Sequence, residues 1–313
     1  MKNTRLLLAF GFAFLGSFLA ARSSRAVVKI AITVDDLPAS TSTDSSSDWM
    51  LISDRMIAAF KKHHIEGVYG FVNSKPIEQN ANLAQVLKNW VGAGHFLGNH
   101  TFSHADITKL TVADYSKEIV SNESVLKSQL GSKNYKYFRY PYLAEGESEE
   151  KREAIRTLLF QRGYTIVPVT MDFFDFEWSA PYLRCMKKYD QEGMTWLRES
   201  YVEQAVYGME IAQLLSQSLF SRDIKYVLLV HIGLIQSEVI DALLSSLEKR
   251  GAKFISLQDA LSDEIYLIDS KVARDRTYTL LNQIRIAHGQ ANPKRVSELY
   301  DLFPEEKLNS ICK

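Results

Sequence analysis

A closed or nearly closed α/β barrel of about seven parallel strands is the architecture that this 313-residue sequence predicts, and three observations predict it. Seven short β-rich runs alternate with longer stretches of helical character, the pattern of a parallel α/β fold. Several helical stretches stop at a glycine just ahead of the next run, as a helix C-terminus favours. Groups of His, Asp and Arg stand at the ends of five different runs, and in a barrel the functional groups gather at the C-terminal strand ends.

Taken in order, the β-rich runs are residues 28–34, 67–72, 95–99, 135–139, 164–169, 226–230 and 253–256. Helices are expected between them at 49–63, 83–91, 113–130, 149–162 and 238–249. Gly92, Gly94 and Gly98 have the wrong spacing for a dinucleotide fingerprint and read as a helix stop. Residues 172–201 are too long for an ordinary βα loop and carry Phe173, Phe174, Phe176, Trp178, Tyr182, Tyr189 and Trp196. Such a loop over a barrel mouth is either a binding surface or a lid with its aromatics buried. Past Asp263 the chain reads as a C-terminal extension with helices at 275–287 and 293–302, assigned to packing or substrate contact.

The first 26 residues combine Lys2 and Arg5, an apolar run, and Ser24 and Ala26 at cleavage-site spacing, so they are expected to be a secretory signal peptide. An uncleaved anchor is the alternative, although the apolar run is short for a spanning helix. The expected organisation is therefore a signal at 1–26, one domain at 27–262 and the extension at 263–313. The signal holds four basic residues and no acid, so its removal leaves 33 basic against 37 acidic residues. With no Lys/Arg run, that balance gives no electrostatic footprint for nucleic acid. Periplasmic or secreted localisation follows from the signal, with no membrane span after cleavage. Cys185 and Cys312 could pair in an oxidising compartment or remain as two thiols.

Five short blocks carry the chemistry: Thr33-Val34-Asp35-Asp36, His100-Thr101-Phe102-Ser103-His104, Arg139-Tyr140-Pro141-Tyr142, Asp172-Phe173-Phe174-Asp175 and Leu228-Leu229-Val230-His231. Two imidazoles four residues apart, His100 and His104, can face one ion on a helical turn or tight loop, and Asp36 is the natural third ligand. Adjacent carboxylates at a strand end need a cation to hold their like charges together. Asp35 is then free to act as general base. Pro141 stiffens its loop, which can hold Arg139 against Asp35 and aim the Tyr142 backbone N–H into the site as an oxyanion donor. His231, at the end of an apolar strand, is the expected general acid, and Asp172 is the expected carboxylate that favours its charged form. Each block also has a bland reading: a turn cap for the Asp pair, a surface salt bridge for Arg139, a structural role for His231. No Gly-x-Ser-x-Gly, His-Glu-x-x-His or phosphate-binding glycine loop is present.

In this order the five blocks resemble the polysaccharide deacetylase family, the NodB-homology domain of carbohydrate esterase family 4, over residues 30–257. The resemblance implies a distorted (β/α) barrel of about seven parallel strands and removal of N- or O-linked acetyl groups from polymers such as peptidoglycan, chitin or acetylxylan with a divalent metal, commonly zinc. It implies Asp35 as base, Asp36, His100 and His104 as ligands, Arg139 as the residue orienting the base, Tyr142 as oxyanion donor and His231 as acid, tuned by Asp172. Leu37 stands where the family usually has Gly, and Phe176 where it usually has Trp, departures that bear on substrate fit more than on catalysis. The expected reaction is N-deacetylation of N-acetylglucosamine units, in peptidoglycan first and chitin-type oligomers second. An O-acetyl esterase on acetylated xylan or a similar glycan, or a glycan-binding pseudoenzyme, are the alternatives.

Overall fold

The structure, a computed structural model, describes residues 27–40, 48–130, 135–273 and 278–313. The expected signal peptide at 1–26 lies outside these residues. In chain order the elements are β1 (Val28–Leu37), α1 (Trp49–Lys62), β2 (Tyr69–Val72), α2 (Lys75–Gln79), α3 (Ala84–Gly92), β3 (Phe96–Asn99), α4 (Val112–Leu130), β4 (Tyr137–Phe138), α5 (Glu149–Gln161) and β5 (Thr165–Ile166). There follow α6 (Ser179–Lys187), α7 (Gln191–Phe220), β6 (Lys225–His231), α8 (Leu234–Glu248), β7 (Ala252–Phe254), α9 (Leu257–Leu261), α10 (Leu280–Ala287), α11 (Lys294–Tyr300) and α12 (Glu305–Ser310).

All seven expected strands form, and they pair in parallel in the order β5-β4-β3-β2-β1-β6, with β7 also on β1. β1 is the spine because its apolar residues on both faces are buried, Ile30, Ala31, Ile32 and Val34 among them, as a strand covered on two sides requires. One edge of β1 pairs with β6 from Lys29 to Asp35, and the other takes β7 near Val28 and β2 from Thr33. The stretch after β5 reaches across to β6: the Thr170 and Met171 N–H groups donate to the Val227 carbonyl at 3.1 and 3.0 Å, and Leu229 N–H donates to Met171 at 3.1 Å. The sheet thereby curls into an incomplete barrel with helices around it.

Local sequence explains the helix boundaries. Asp48, Ser148 and Asp190 cap α1, α5 and α7, each side chain accepting from an N–H of the first turn, worth about 1 kcal/mol apiece. Gly163 and Gly251 take φ of +75° and +93° just past α5 and α8, where a residue with a Cβ would be strained.

The expected long loop at 172–201 is corrected by the structure: beyond a short turn it is α6 and the start of α7. Phe173, Trp178 and Tyr182 are buried there, Phe176 borders solvent, and Tyr189 is fully out. Most of that aromatic surface is thus core and not a binding face. The C-terminal residues share the main core, to which Leu280, Ile284, Val296 and Leu308 contribute beside residues of β1 and α7. Of the helix expected at 275–287, residues 275–277 lie outside the described residues and α10 accounts for the remainder; α11 accounts for most of 293–302. Cys185 on α6 is disulfide-bonded to Cys312, which settles the pairing left open by the sequence. Among the described residues no helix is long and apolar enough to cross a membrane.

Candidate active site

Strand ends and the loops after them bring the expected residues together around one cleft of about 240 Å³. Asp35 and Asp36 close β1, His100 and His104 follow β3, Arg139 and Tyr142 follow β4, and His231 ends β6. The backbone here is unusual. Of the eleven non-glycine residues with positive φ among the described residues, six border this region: Asp36, Thr101, His104, Tyr142, Leu143 and Phe174. Each such residue costs roughly 1–3 kcal/mol and persists only where the surroundings over-determine it.

The left-handed turn at Asp36 (φ 71°) brings to one cleft two neighbouring carboxylates that an extended strand would have sent to opposite faces. Asp36 Oδ1 comes within 3.7 Å of His100 Nε2 and 3.6 Å of His104 Nε2, and the three side chains form a compact set of candidate ligands. His100 Nδ1 donates to the Arg139 carbonyl at 2.8 Å, which leaves its Nε2 as the lone-pair nitrogen facing Asp36. Burial pushes the pKa of both imidazoles down, so both are held neutral, the form that ligates a cation. Most telling is Asp36 Oδ1, which is buried with no hydrogen-bond partner among the described residues. Buried carboxylate oxygens require a partner, and a divalent cation between Asp36, His100 and His104 is the partner this donor set fits.

The loop that carries the two imidazoles is braced by amides that the sequence did not single out. Asn73 donates through Nδ2 to the carbonyls of His100 and Thr101. Asn99 Oδ1 accepts from Thr101 N–H at 2.9 Å and from Asn122 Nδ2 at 3.0 Å. Only spatial proximity identifies them, since Asn73 and Asn122 lie far from the loop in sequence.

Arg139 meets its expectation closely. Its buried guanidinium donates to both Asp35 oxygens at 3.3 Å, to the Val167 carbonyl at 2.8 Å and to Thr33 Oγ1 at 3.1 Å, and it sits over the Phe71 ring. Burial raises the Asp35 pKa to about 6 despite the opposing pull of Arg139 and His231, which leaves it a stronger base than an ordinary carboxylate. Tyr142 N–H donates to no acceptor among the described residues, and its ring packs edge-on to His104 with centroids 4.5 Å apart. That amide is available to a ligand oxygen.

His231 lies on the far side of Asp35, and here one assignment is corrected. The carboxylate that holds His231 is Asp175 and not Asp172. Asp175 Oδ1 is 2.6 Å from His231 Nδ1, and its Oδ2 accepts from the His231 backbone N–H at 2.8 Å and from Tyr201 OH at 3.1 Å. Asp172 is taken up by the turn instead, accepting from Phe174 N–H at 3.0 Å. It lines the cleft, and burial raises its pKa to about 6. The physical cause is Phe174, whose left-handed φ of 58° folds the chain back so that Asp175, fully buried, points at β6.

Burial alone would lower the His231 pKa, but the Asp175 charge and hydrogen bond outweigh it and raise the pKa to about 10. Because this lies above the ordinary value of 6.5, the pair stabilises the fold fully below about pH 6.5 and the contribution is lost as pH rises through about 10. In an Asp175→Asn variant the largest charge partner and its hydrogen bond are gone while burial and the weaker pull of Asp36 and Asp35 remain, so the imidazole should titrate well below 10. NMR titration of the His231 ring reads this directly, and a resonance still titrating near 10 would exclude Asp175 as the source.

The arrangement offers a candidate cation site, a raised-pKa carboxylate, a vacant amide donor and an imidazolium around one cleft, the parts that acyl hydrolysis requires. Comparison with known proteins points the same way. Residues 24–167 match the family model described as polysaccharide deacetylase. A chitin deacetylase of Arthroderma benhamiae is 28% identical over 149 residues, 48% of this chain and 38% of that protein. A peptidoglycan-N-acetylglucosamine deacetylase of Bacillus cereus is 25% identical over 168 residues, 54% of this chain and 51% of the relative. The chain thus spans about half or less of the length of these curated relatives. Among solved structures, the chitin deacetylase from the fungal pathogen Colletotrichum lindemuthianum aligns with a TM-score of 0.52 at 18% identity, covering 80% of this chain and 93% of that one. At that identity the likeness shows a shared fold.

Proposed function

We propose, from the match of residues 24–167 to the polysaccharide deacetylase family, that the protein is a metal-dependent hydrolase that removes N-acetyl groups from N-acetylglucosamine units of a polysaccharide, with peptidoglycan the first substrate and chitin-type oligomers the second. The observation that carries this reading is the unpartnered Asp36 Oδ1 facing two neutral imidazoles, beside the base candidate Asp35. Two imidazoles and one carboxylate suit zinc. A divalent cation held by Asp36, His100 and His104 supplies Lewis acidity and makes water easier to deprotonate.

In this reading Arg139 fixes the Asp35 carboxylate, which accepts a proton as water oxygen bonds to the acetamide carbonyl carbon. The Tyr142 N–H donates to the developing oxyanion. His231, kept protonated by Asp175, gives its proton to the departing nitrogen as the C–N bond breaks, releasing acetate and an amine. Phe176, whose ring lies 5.6 Å from that of His231, and Leu229 form the apolar wall for the acetyl methyl. We further propose a periplasmic or secreted location, supported by the basic and apolar leading segment and by the disulfide.

The test uses protein stripped of metal and reloaded with zinc, incubated with chitooligosaccharides and with peptidoglycan fragments, with acetyl loss followed by mass spectrometry. Loss that requires metal is the expected outcome. No loss on either polymer from protein with metal bound would overturn the reading in favour of an O-acetyl esterase or a glycan-binding protein without turnover.

A further inference from the structure

We propose that a second chamber, across Asp36 and His104 from the first, is a subsite for a sugar bearing a carboxylate, with Lys75 recognising the charge. This rests on the deacetylase reading and deepens it by naming the neighbour of the reacting unit. The chamber holds about 230 Å³ and is lined by Asn73, Lys75, Pro76, Gln79 and Ser103, with Asp36 and His104 forming the wall it shares with the catalytic cleft. A polymer unit reacting at the shared wall would place an adjacent unit in it.

The two chambers differ in chemistry. Phe176, Leu143 and Leu229 give the first an apolar lining. The second presents amides, a hydroxyl and one ammonium, groups that suit sugar hydroxyls and an anion. Lys75 is exposed and takes part in no ion pair among the described residues, whereas Lys109, Lys117 and Lys151 each do. Its base is fixed. Lys75 N–H donates to the Phe102 carbonyl at 2.9 Å, the preceding Ser74 N–H donates to Asn122 at 3.1 Å, and Pro76 follows. Only the side chain is therefore free to meet a ligand. Apart from Asp36 on the shared wall, Lys75 is the one charged side chain among the described residues that line the chamber, and an ammonium there favours an anion. Peptidoglycan alternates N-acetylglucosamine with a sugar whose lactyl carboxyl is a free carboxylate wherever the peptide stem has been removed, and chitin carries no such group.

The experiment compares wild type, Lys75→Gln and Lys75→Glu on one peptidoglycan-derived oligosaccharide with its carboxylates free and on the same oligosaccharide methyl-esterified. The ratio of kcat/KM on free acid to that on ester should fall about 3- to 5-fold in Lys75→Gln, the range for an exposed ion pair, chiefly through KM, and further in Lys75→Glu. Added salt should shrink the wild-type ratio. An unchanged ratio in both variants would overturn the proposal. If wild type turns over neither form, the deacetylase reading fails, and calorimetric titration of zinc-loaded protein with the two oligosaccharides still decides the subsite: preference for the free acid that is lost in Lys75→Gln supports it, and equal affinities overturn it.

Discussion

Asp35→Asn is expected to lower kcat by about a hundred- to ten-thousand-fold, the usual contribution of a positioned general base, while zinc binding measured by calorimetry is retained. Asparagine keeps the shape and an acceptor oxygen for Arg139 but cannot take a proton at neutral pH. The buried guanidinium would lose its countercharge, and breaking a buried pair from one side is destabilising. Arg139 nevertheless keeps its bonds to Val167 and Thr33 and its place over Phe71, so the variant should fold, as circular dichroism can verify. Because Asp36, His100 and His104 carry the ligand atoms, metal affinity should change far less than turnover. Near-wild-type rates would remove Asp35 as base; loss of both metal and rate would mean that it serves the cation instead.

The second large effect concerns stability. Cys185 and Cys312 are 127 residues apart in sequence, and closing a loop of that length removes chain entropy from the unfolded state worth about 5 kcal/mol. A Cys185→Ser/Cys312→Ser variant should therefore unfold with a free energy lower by up to about 5 kcal/mol, a fall in Tm on the order of 10 °C for a chain of this size. The C-terminal segment would remain docked, since Arg184 donates to the Leu308 carbonyl at 2.7 Å and Leu308 is buried. The same segment supports the cleft: Phe303 packs edge-on to Phe174 and Trp178, on either side of Asp175. Denaturant melts of the two forms measure the difference, and coincident curves would mean that the bond restrains nothing the fold does not already restrain.

The strands were legible because β1 and β6 are apolar on both faces, and the ligands because Asp35 and Asp36 stand at the end of β1 while His100 and His104, four residues apart, follow β3. What escaped the sequence has identifiable causes. α7 packs against α6, α8, α10 and α11 at once, so its apolar residues spread around the helix instead of forming one stripe, and its start reads as an aromatic loop. The choice between Asp172 and Asp175 hangs on a left-handed phenylalanine, a conformation that no local propensity announces. Asn73 and Asn122 act only through contacts between distant segments.

Asp35 and His231 stand opposite one another in the β1–β6 register, so about 4.8 Å of sheet, one strand spacing, separates the backbones that carry the proton acceptor and the proton donor. Neither rides on a hinge or a lid. Local opening in proteins proceeds by cooperative units, and these two residues sit side by side on paired strands. A parting of β6 from β1 would displace the acid and the base together, so the integrity of one strand pair bears on both ends of the proton transfer.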